Sequence, residues 1–146
     1  MKIYLASDHA GFELKEKIKA FLIKKNYKVE NVGDFEEDKN DDYPDFIAKA
    51  AEKVSEDPSS RGIVFGKSGA GEEIVANKFK NVRAVVGFNK ENVKLAREDN
   101  DANVLSLGSE FVDESQAFDF VTLFLETPFS NEPRHKRRIK KISNLE

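Results

Sequence analysis

Cysteine and tryptophan are absent from the 146 residues, methionine occurs once and histidine twice. Without cysteine there is no disulfide framework, no thiolate metal site and no cysteine nucleophile. Long hydrophobic runs are missing too. The first apolar run, Ile3-Tyr4-Leu5-Ala6, ends at Ser7-Asp8-His9, too short for a signal-peptide core or a membrane span. A cytoplasmic protein with no membrane partner is the expectation. What is present is a globular balance, with 39% hydrophobic and 35% charged residues and an aromatic load of 12 phenylalanines and 3 tyrosines. The length suits one domain over residues 1–146, able to bury about two-thirds of its unfolded surface.

The net charge of -3 hides an asymmetry. Residues 134–146 carry six Lys/Arg against one acid, while residues 1–133 carry 18 basic and 26 acidic side chains. A basic tail on an acidic body can bind nucleic acid, but this run is short and has no interleaved aromatic residues. A small phosphate-bearing ligand, or the acidic surface of a partner subunit, fits better.

Apolar runs of strand length alternate with stretches of helical period, which predicts βαβ units and a parallel sheet. Strands are expected at Lys2–Ser7, Lys28–Val32, Gly62–Gly66, Arg83–Phe88 and Asn103–Gly108. Helices are expected at Gly11–Lys25, Tyr43–Glu56, Gly71–Phe79, Lys90–Asp99 and Asp113–Glu126, then a basic helix at Pro133–Asn144. The third and fourth strands are continuously apolar, as strands covered on both faces should be. Right-handed crossovers give an α/β, open three-layer sandwich with five parallel strands. Asp34–Asp42 reads as a surface loop, and Pro44 suits the first turn of the next helix. Pro128 and Pro133 detach the basic helix, which is then free to reach another subunit.

Ligands of open parallel sheets bind beyond the carboxyl ends of the strands. There stand Asp8-His9-Ala10-Gly11 and Gly66-Lys67-Ser68-Gly69-Ala70-Gly71-Glu72-Glu73. The second segment is either a glycine-rich turn needed for packing or a cradle whose amides meet an anion at a helix N-terminus. It has neither the dinucleotide nor the nucleoside-triphosphate glycine spacing. Glu72 and Glu73 either compensate the helix dipole or supply an ionised carboxylate beside oxyanion donors. The latter pair is what moving a proton from carbon and holding an enediolate requires. Asp8 suits a helix cap as well as a ligand contact. Arg134 and Arg138, four apart, are either a solvated face or a two-armed phosphate clamp.

Together these residues resemble the type B ribose-5-phosphate isomerases, grouped with the galactose-6-phosphate isomerase subunits. The likeness runs from Met1 to about Ile142. It rests on Ser7-Asp8-His9-Ala10-Gly11, Asp42-Tyr43-Pro44-Asp45, Ser68-Gly69-Ala70-Gly71, Ile74-Val75-Ala76-Asn77-Lys78, Asn81-Val82-Arg83-Ala84, Asn100-Asp101-Ala102-Asn103-Val104-Leu105, and Arg134-His135 followed by Arg138. The resemblance implies a Rossmann-like sandwich, a homodimer or homotetramer whose sites are completed by the neighbouring subunit, and no cofactor or metal. It implies aldose-ketose isomerisation of a phosphorylated sugar through an enediol, with ribose 5-phosphate the expected substrate. One branch places a cysteine base where this chain has Gly66; the other places a glutamate base where it has Glu72. Ser68, the amides around Gly69, Ala70 and Gly71, and Asn100 then fall on enediolate-stabilising positions. Asp8, His9 and Tyr43 match substrate contacts, and Arg134 and Arg138 match phosphate-binding arginines.

Two positions depart from the pattern. Asp99 replaces the histidine that opens the sugar ring, and Glu110 replaces a phosphate-contacting arginine. Asp99 is expected to take over the proton transfer, its carboxyl coupled to Glu72 across the site. Lys67, at a usual glycine position, can restore positive charge. These departures keep open a four- or six-carbon sugar phosphate as substrate, and a non-catalytic sugar-phosphate binder or partner subunit as the rival function. A nucleotide-binding module is the third reading, since fold alone does not fix function.

Overall fold

A computed structural model describes residues 1–146. Five strands, β1 (Lys2–Ser7), β2 (Lys28–Gly33), β3 (Arg61–Gly66), β4 (Ala84–Val86) and β5 (Val104–Gly108), form one sheet. Six helices accompany them: α1 (Phe12–Lys24), α2 (Tyr43–Glu56), α3 (Ala70–Ala76), α4 (Lys90–Asn100), α5 (Glu114–Glu126) and α6 (Pro133–Ser143). All strand pairs are parallel, in the order β2-β1-β3-β5-β4.

Side chains alternate across each strand and so feed two cores. Ile3, Leu5, Ile63, Phe65, Leu105 and Leu107 pack on one face with α1, α4 and α5. Tyr4, Ala6, Val64 and Val104 pack on the other with Ile47, Ala51 and Val54 of α2 and Ala76 of α3. The three-layer sandwich expected from the alternating pattern is the observed one. β1 feeds a helix on the first face and β3 a helix on the second, so the chain direction switches between these adjacent strands. Their carboxyl ends therefore splay apart and leave a crevice.

Two elements are shorter than their apolar runs suggest. β4 stops at Val86 because it is an edge strand paired only with β5, and Val85 and Val86 stay half-buried. α3 ends at Ala76 because the Asn77 amide turns to clip β4, donating to the Ala84 carbonyl at 2.9 Å and accepting from its N–H at 2.8 Å. Pro44 does stand in the first turn of α2.

Asp34–Asp42 is not wholly a surface loop. Asp34 is buried and the side chain of Asp41 is only 5% exposed, because both turn inward toward the crevice. Nor does α6 leave the body in this structure. Its His135 is buried 3.3 Å from Asp99, and Glu146 beyond its end accepts from the Asn81 amide at 2.8 Å. The remaining side chains of α6 are largely exposed.

Candidate active site

The Gly66–Gly71 loop closes the carboxyl end of β3. Gly69 turns it with a φ of 83°, a left-handed conformation that a side chain would strain. The loop is pinned from behind, where the buried Ser106 hydroxyl donates to the Gly69 carbonyl at 2.7 Å. The Ser109 and Glu110 amides donate to the carbonyls of Gly66 and Lys67 at 2.8 and 3.1 Å. Held in this way, the loop delivers Glu72 into the crevice, with only 3% of the residue exposed.

The Glu72 carboxyl lies against Gly66, where an added Cβ would stand 1.8 Å from Oε1. Burial pushes its pKa above the ordinary glutamate value. Its own amide pulls the pKa back down, the charge of Asp8 raises it, and the Gly69 amide again lowers it. The ionised carboxylate expected of a first helical turn is thus opposed by burial. Asp8, itself buried, accepts from the Gly11 amide at 3.1 Å, which is the cap-like bond that its position before α1 suggests.

Ser68 is exposed at the crevice, its Oγ accepting from the Ala70 amide at 3.2 Å. The hydroxyl proton remains available to a ligand. Tyr43 reaches over Gly71, whose missing Cβ would meet the Tyr43 ring at 2.7 Å. Lys67 is also exposed, but its ammonium lies 3.7 Å from Glu110. Lys67 and Glu110 therefore face each other as a solvated ion pair of small energetic weight.

His9 is held by Asp41. Asp41 Oδ1 accepts from the His9 amide at 3.2 Å and lies 2.6 Å from His9 Nδ1. That contact raises the imidazole pKa; burial opposes it, and the charges of Asp41, Asp8 and Glu37 add to the rise. Asp8, His9 and Asp41 bring three ligand-type atoms within 4.8 Å of one another. Two ligands of one tetrahedral ion with bonds of 2.0–2.1 Å stand about 3.3 Å apart. The 2.6 Å contact is instead a direct hydrogen bond, and the trio is not read as a metal centre.

The other expected residues lie elsewhere. α4 runs back against the strand direction, so Asp99 and Asn100 sit at the amino end of the sheet. There the Asn100 carbonyl accepts from Arg83 Nε at 2.8 Å. β3 from Gly62 to Gly66 separates the two ends by about 13 Å at 3.3 Å per residue. Within one chain, then, Asp99 cannot share a proton with Glu72, nor can Asn100 reach the Gly69 and Gly71 amides. Arg134 and Arg138 are exposed near the same amino end, Arg134 bonded through Nε to Glu132 at 2.9 Å. A cavity of about 590 Å³ also lies there, lined by Phe79, Val82, Val85, Ile142 and Leu145 among others. Its one carboxyl, Glu146, is exposed and accepts from the Asn81 amide, whereas Glu72 is buried in the crevice.

Sequence reasoning missed Lys15, Asp34 and Asp41. Lys15 is fully buried, and its ammonium donates to Asn31 Oδ1 at 3.1 Å and to the Asp34 carbonyl. Its signal was visible, since Lys15 falls on the apolar stripe of α1 with Ile18 and Leu22. Asp34 and Asp41 had no such signal inside an acidic run.

The fold and crevice define a class: a parallel α/β protein with a buried carboxyl behind a glycine-rich loop at a sheet switch point. The chain belongs to the Ribose/Galactose Isomerase family, whose model matches residues 3–142. It is 42% identical to ribose-5-phosphate isomerase B of Mycolicibacterium paratuberculosis over all 146 residues, covering 92% of that protein. Among solved structures it resembles ribose-5-phosphate isomerase B of Clostridium thermocellum, with a TM-score of 0.95 and 41% identity over 99% of this chain and 97% of that one. It is equally similar to the Mycoplasma genitalium enzyme with bound ribulose-5-phosphate, with a TM-score of 0.95 and 39% identity over 99% and 95% of the two chains.

Proposed function

We propose that the chain interconverts ribose 5-phosphate and ribulose 5-phosphate through an enediol, with Glu72 as the base. The observation that carries this reading is the Glu72 carboxyl, buried in the crevice with its pKa raised by that burial. A carboxyl moved toward neutrality takes and returns a proton more evenly than an ordinary glutamate. The names of the relatives, and the ribulose-5-phosphate held by the Mycoplasma genitalium structure, support the choice of sugar.

Glu72 removes the proton from C2 of the open-chain aldose. The electron pair forms the C1–C2 double bond, and charge moves onto the former carbonyl oxygen. The Ser68 hydroxyl and the amides around Gly69, Ala70 and Gly71 stabilise that oxygen. Glu72 then returns the proton to C1 while the hydroxyl proton of O2 passes to O1, which leaves the carbonyl at C2 and a hydroxyl at C1. Asp8, His9 and Tyr43 hold the sugar, with Lys67 at the mouth.

The expected remainder of the site, Asp99, Asn100, Arg134 and Arg138, lies at the other end of the sheet. It is supplied by a second copy in a homodimer or homotetramer, the arginines taking the phosphate and Asp99 assisting ring opening. The chain acts as one cytoplasmic isomerase domain. An assay of the purified chain in deuterated water tests the reading. Ribose 5-phosphate should convert to ribulose 5-phosphate with solvent deuterium entering at the transferred position. No conversion would overturn the function, and deuterium entering the ketose at any carbon other than C1 would overturn the C2-to-C1 proton transfer.

A further inference from the structure

Two carboxyl oxygens in the body have no hydrogen-bond partner although both are buried: Oδ2 of Asp34 and Oδ2 of Asp41. Such orphans are costly, the more so when charged. The Asp41 side chain lies near enough to raise the pKa of the Asp34 carboxyl, after burial. Two neighbouring carboxylates repel, whereas a carboxylic acid can donate to a carboxylate and so satisfy both orphaned oxygens.

The surroundings say which carboxyl keeps the proton. Asp41 already serves His9, accepting from both its amide and Nδ1 through Oδ1. Asp34 accepts only a long bond of 3.4 Å from the Glu36 amide. Lys15, the one buried ammonium nearby, turns to the backbone carbonyl of Asp34 and to Asn31, and it forms no ion pair with the Asp34 carboxyl. Burial and then Asp41 push the Asp34 pKa up, with the Glu36 amide and Lys15 opposing. Asp34 is therefore the acid and Asp41 the carboxylate. His9 Nε2 has no partner within the chain.

We propose that Asp34 and Asp41 are positioning residues of the sugar-phosphate site: a proton shared between their Oδ2 atoms fixes Asp41 as the acceptor of Nδ1–H of the protonated His9 imidazolium, whose Nε2–H is then donated to an oxygen of the ligand. The inference rests on the isomerase reading for the identity of that ligand. The groups acting on this relay are Asp41, Asp8 and Glu37 around His9, and Asp41, Lys15 and the Glu36 amide around Asp34. As pH rises and Asp34 ionises, the two carboxylates repel and the hold on His9 is lost.

The test is an NMR titration of the full, ligand-free chain. Only two histidines need assignment, and His9→Gln identifies the signal. Asp41→Asn should lower the His9 midpoint toward the ordinary 6.5. In the unmodified protein the Asp34 carboxyl carbon should titrate above the ordinary 3.8. Asp34→Ala should raise KM for ribose 5-phosphate about tenfold with kcat within about threefold. Asp34→Asn, whose amide can donate as the acid does, should recover most of that loss. A His9 midpoint unmoved in Asp41→Asn, or an Asp34 carboxyl that titrates at or below 3.8, overturns the proposal. An inactive parent chain would overturn the isomerase reading instead, while both titrations could still be read.

Discussion

Gly66 and Glu72 compete for one position in space: a Cβ on residue 66 would stand 1.8 Å from Oε1 and 2.1 Å from Cδ of Glu72. A side chain at the end of β3 and the carboxylate from the start of α3 are therefore alternatives. With glycine at 66 the crevice has room for the glutamate. Gly66→Ala is expected to expel the carboxylate and lower kcat by about 10²-fold or more, as loss of a general base does. If both changes act on one group, Gly66→Ala combined with Glu72→Gln should be no slower than the worse single variant. Multiplying losses in steady-state kinetics would show that the two residues act independently.

Glu72→Gln should lower kcat by about 10²–10⁴-fold while the protein becomes more stable at neutral pH. The folded carboxyl has a raised pKa, so ionising it costs more in the native than in the unfolded state. Its contribution to stability is full below the unfolded value and is lost as pH rises through the folded one. The Tm advantage of the variant should thus be present at pH 7 to 8 and disappear near pH 4 or below. A calorimetric series over that range checks the sign.

Glu73 is one residue further along α3, about 100° around the helix, and its Oε1 accepts from the Val86 amide at 3.1 Å. This bond ties α3 to the edge strand β4. Glu73→Ala should cost about 1 kcal/mol in urea denaturation by leaving that amide unpaired, with kcat within about threefold of the parent. Glu73→Gln keeps the acceptor and should be close to neutral in both measurements.

Sharing of the site between copies predicts complementation. Glu72→Gln and Arg134→Ala are each expected to be nearly inactive, whereas mixing them with subunit exchange should produce hybrids with one intact crevice. Activity should rise toward about a quarter of the parent value for random exchange within dimers. Demonstrated exchange without recovery would place both residues in one subunit's site.

The layer architecture was legible in the pattern because strand and helix periods respond to burial on a face, and each face is a local property of the chain. Val64 between Ile63 and Phe65, or the stripe of Leu14, Ile18 and Leu22, needs no distant partner to be read. The glycine-rich loop before Glu72 was legible for the same reason, since turn chemistry is written in adjacent residues. Side-chain direction and environment were not. Glu72 reads as an ordinary first-turn carboxylate, and only the fold removes it from water and seats it against Gly66. Asp34 and Asp41 read as two acids in a solvated acidic loop, and only tertiary structure turns both inward and brings Asp41 to His9. The separation of Asp99 and Asn100 from Glu72 follows from α4 running against the strands, which puts residues of one motif set at opposite ends of a rigid sheet. The residues themselves carried the chemistry; the distances that decide which of them act together belong to the packed sheet.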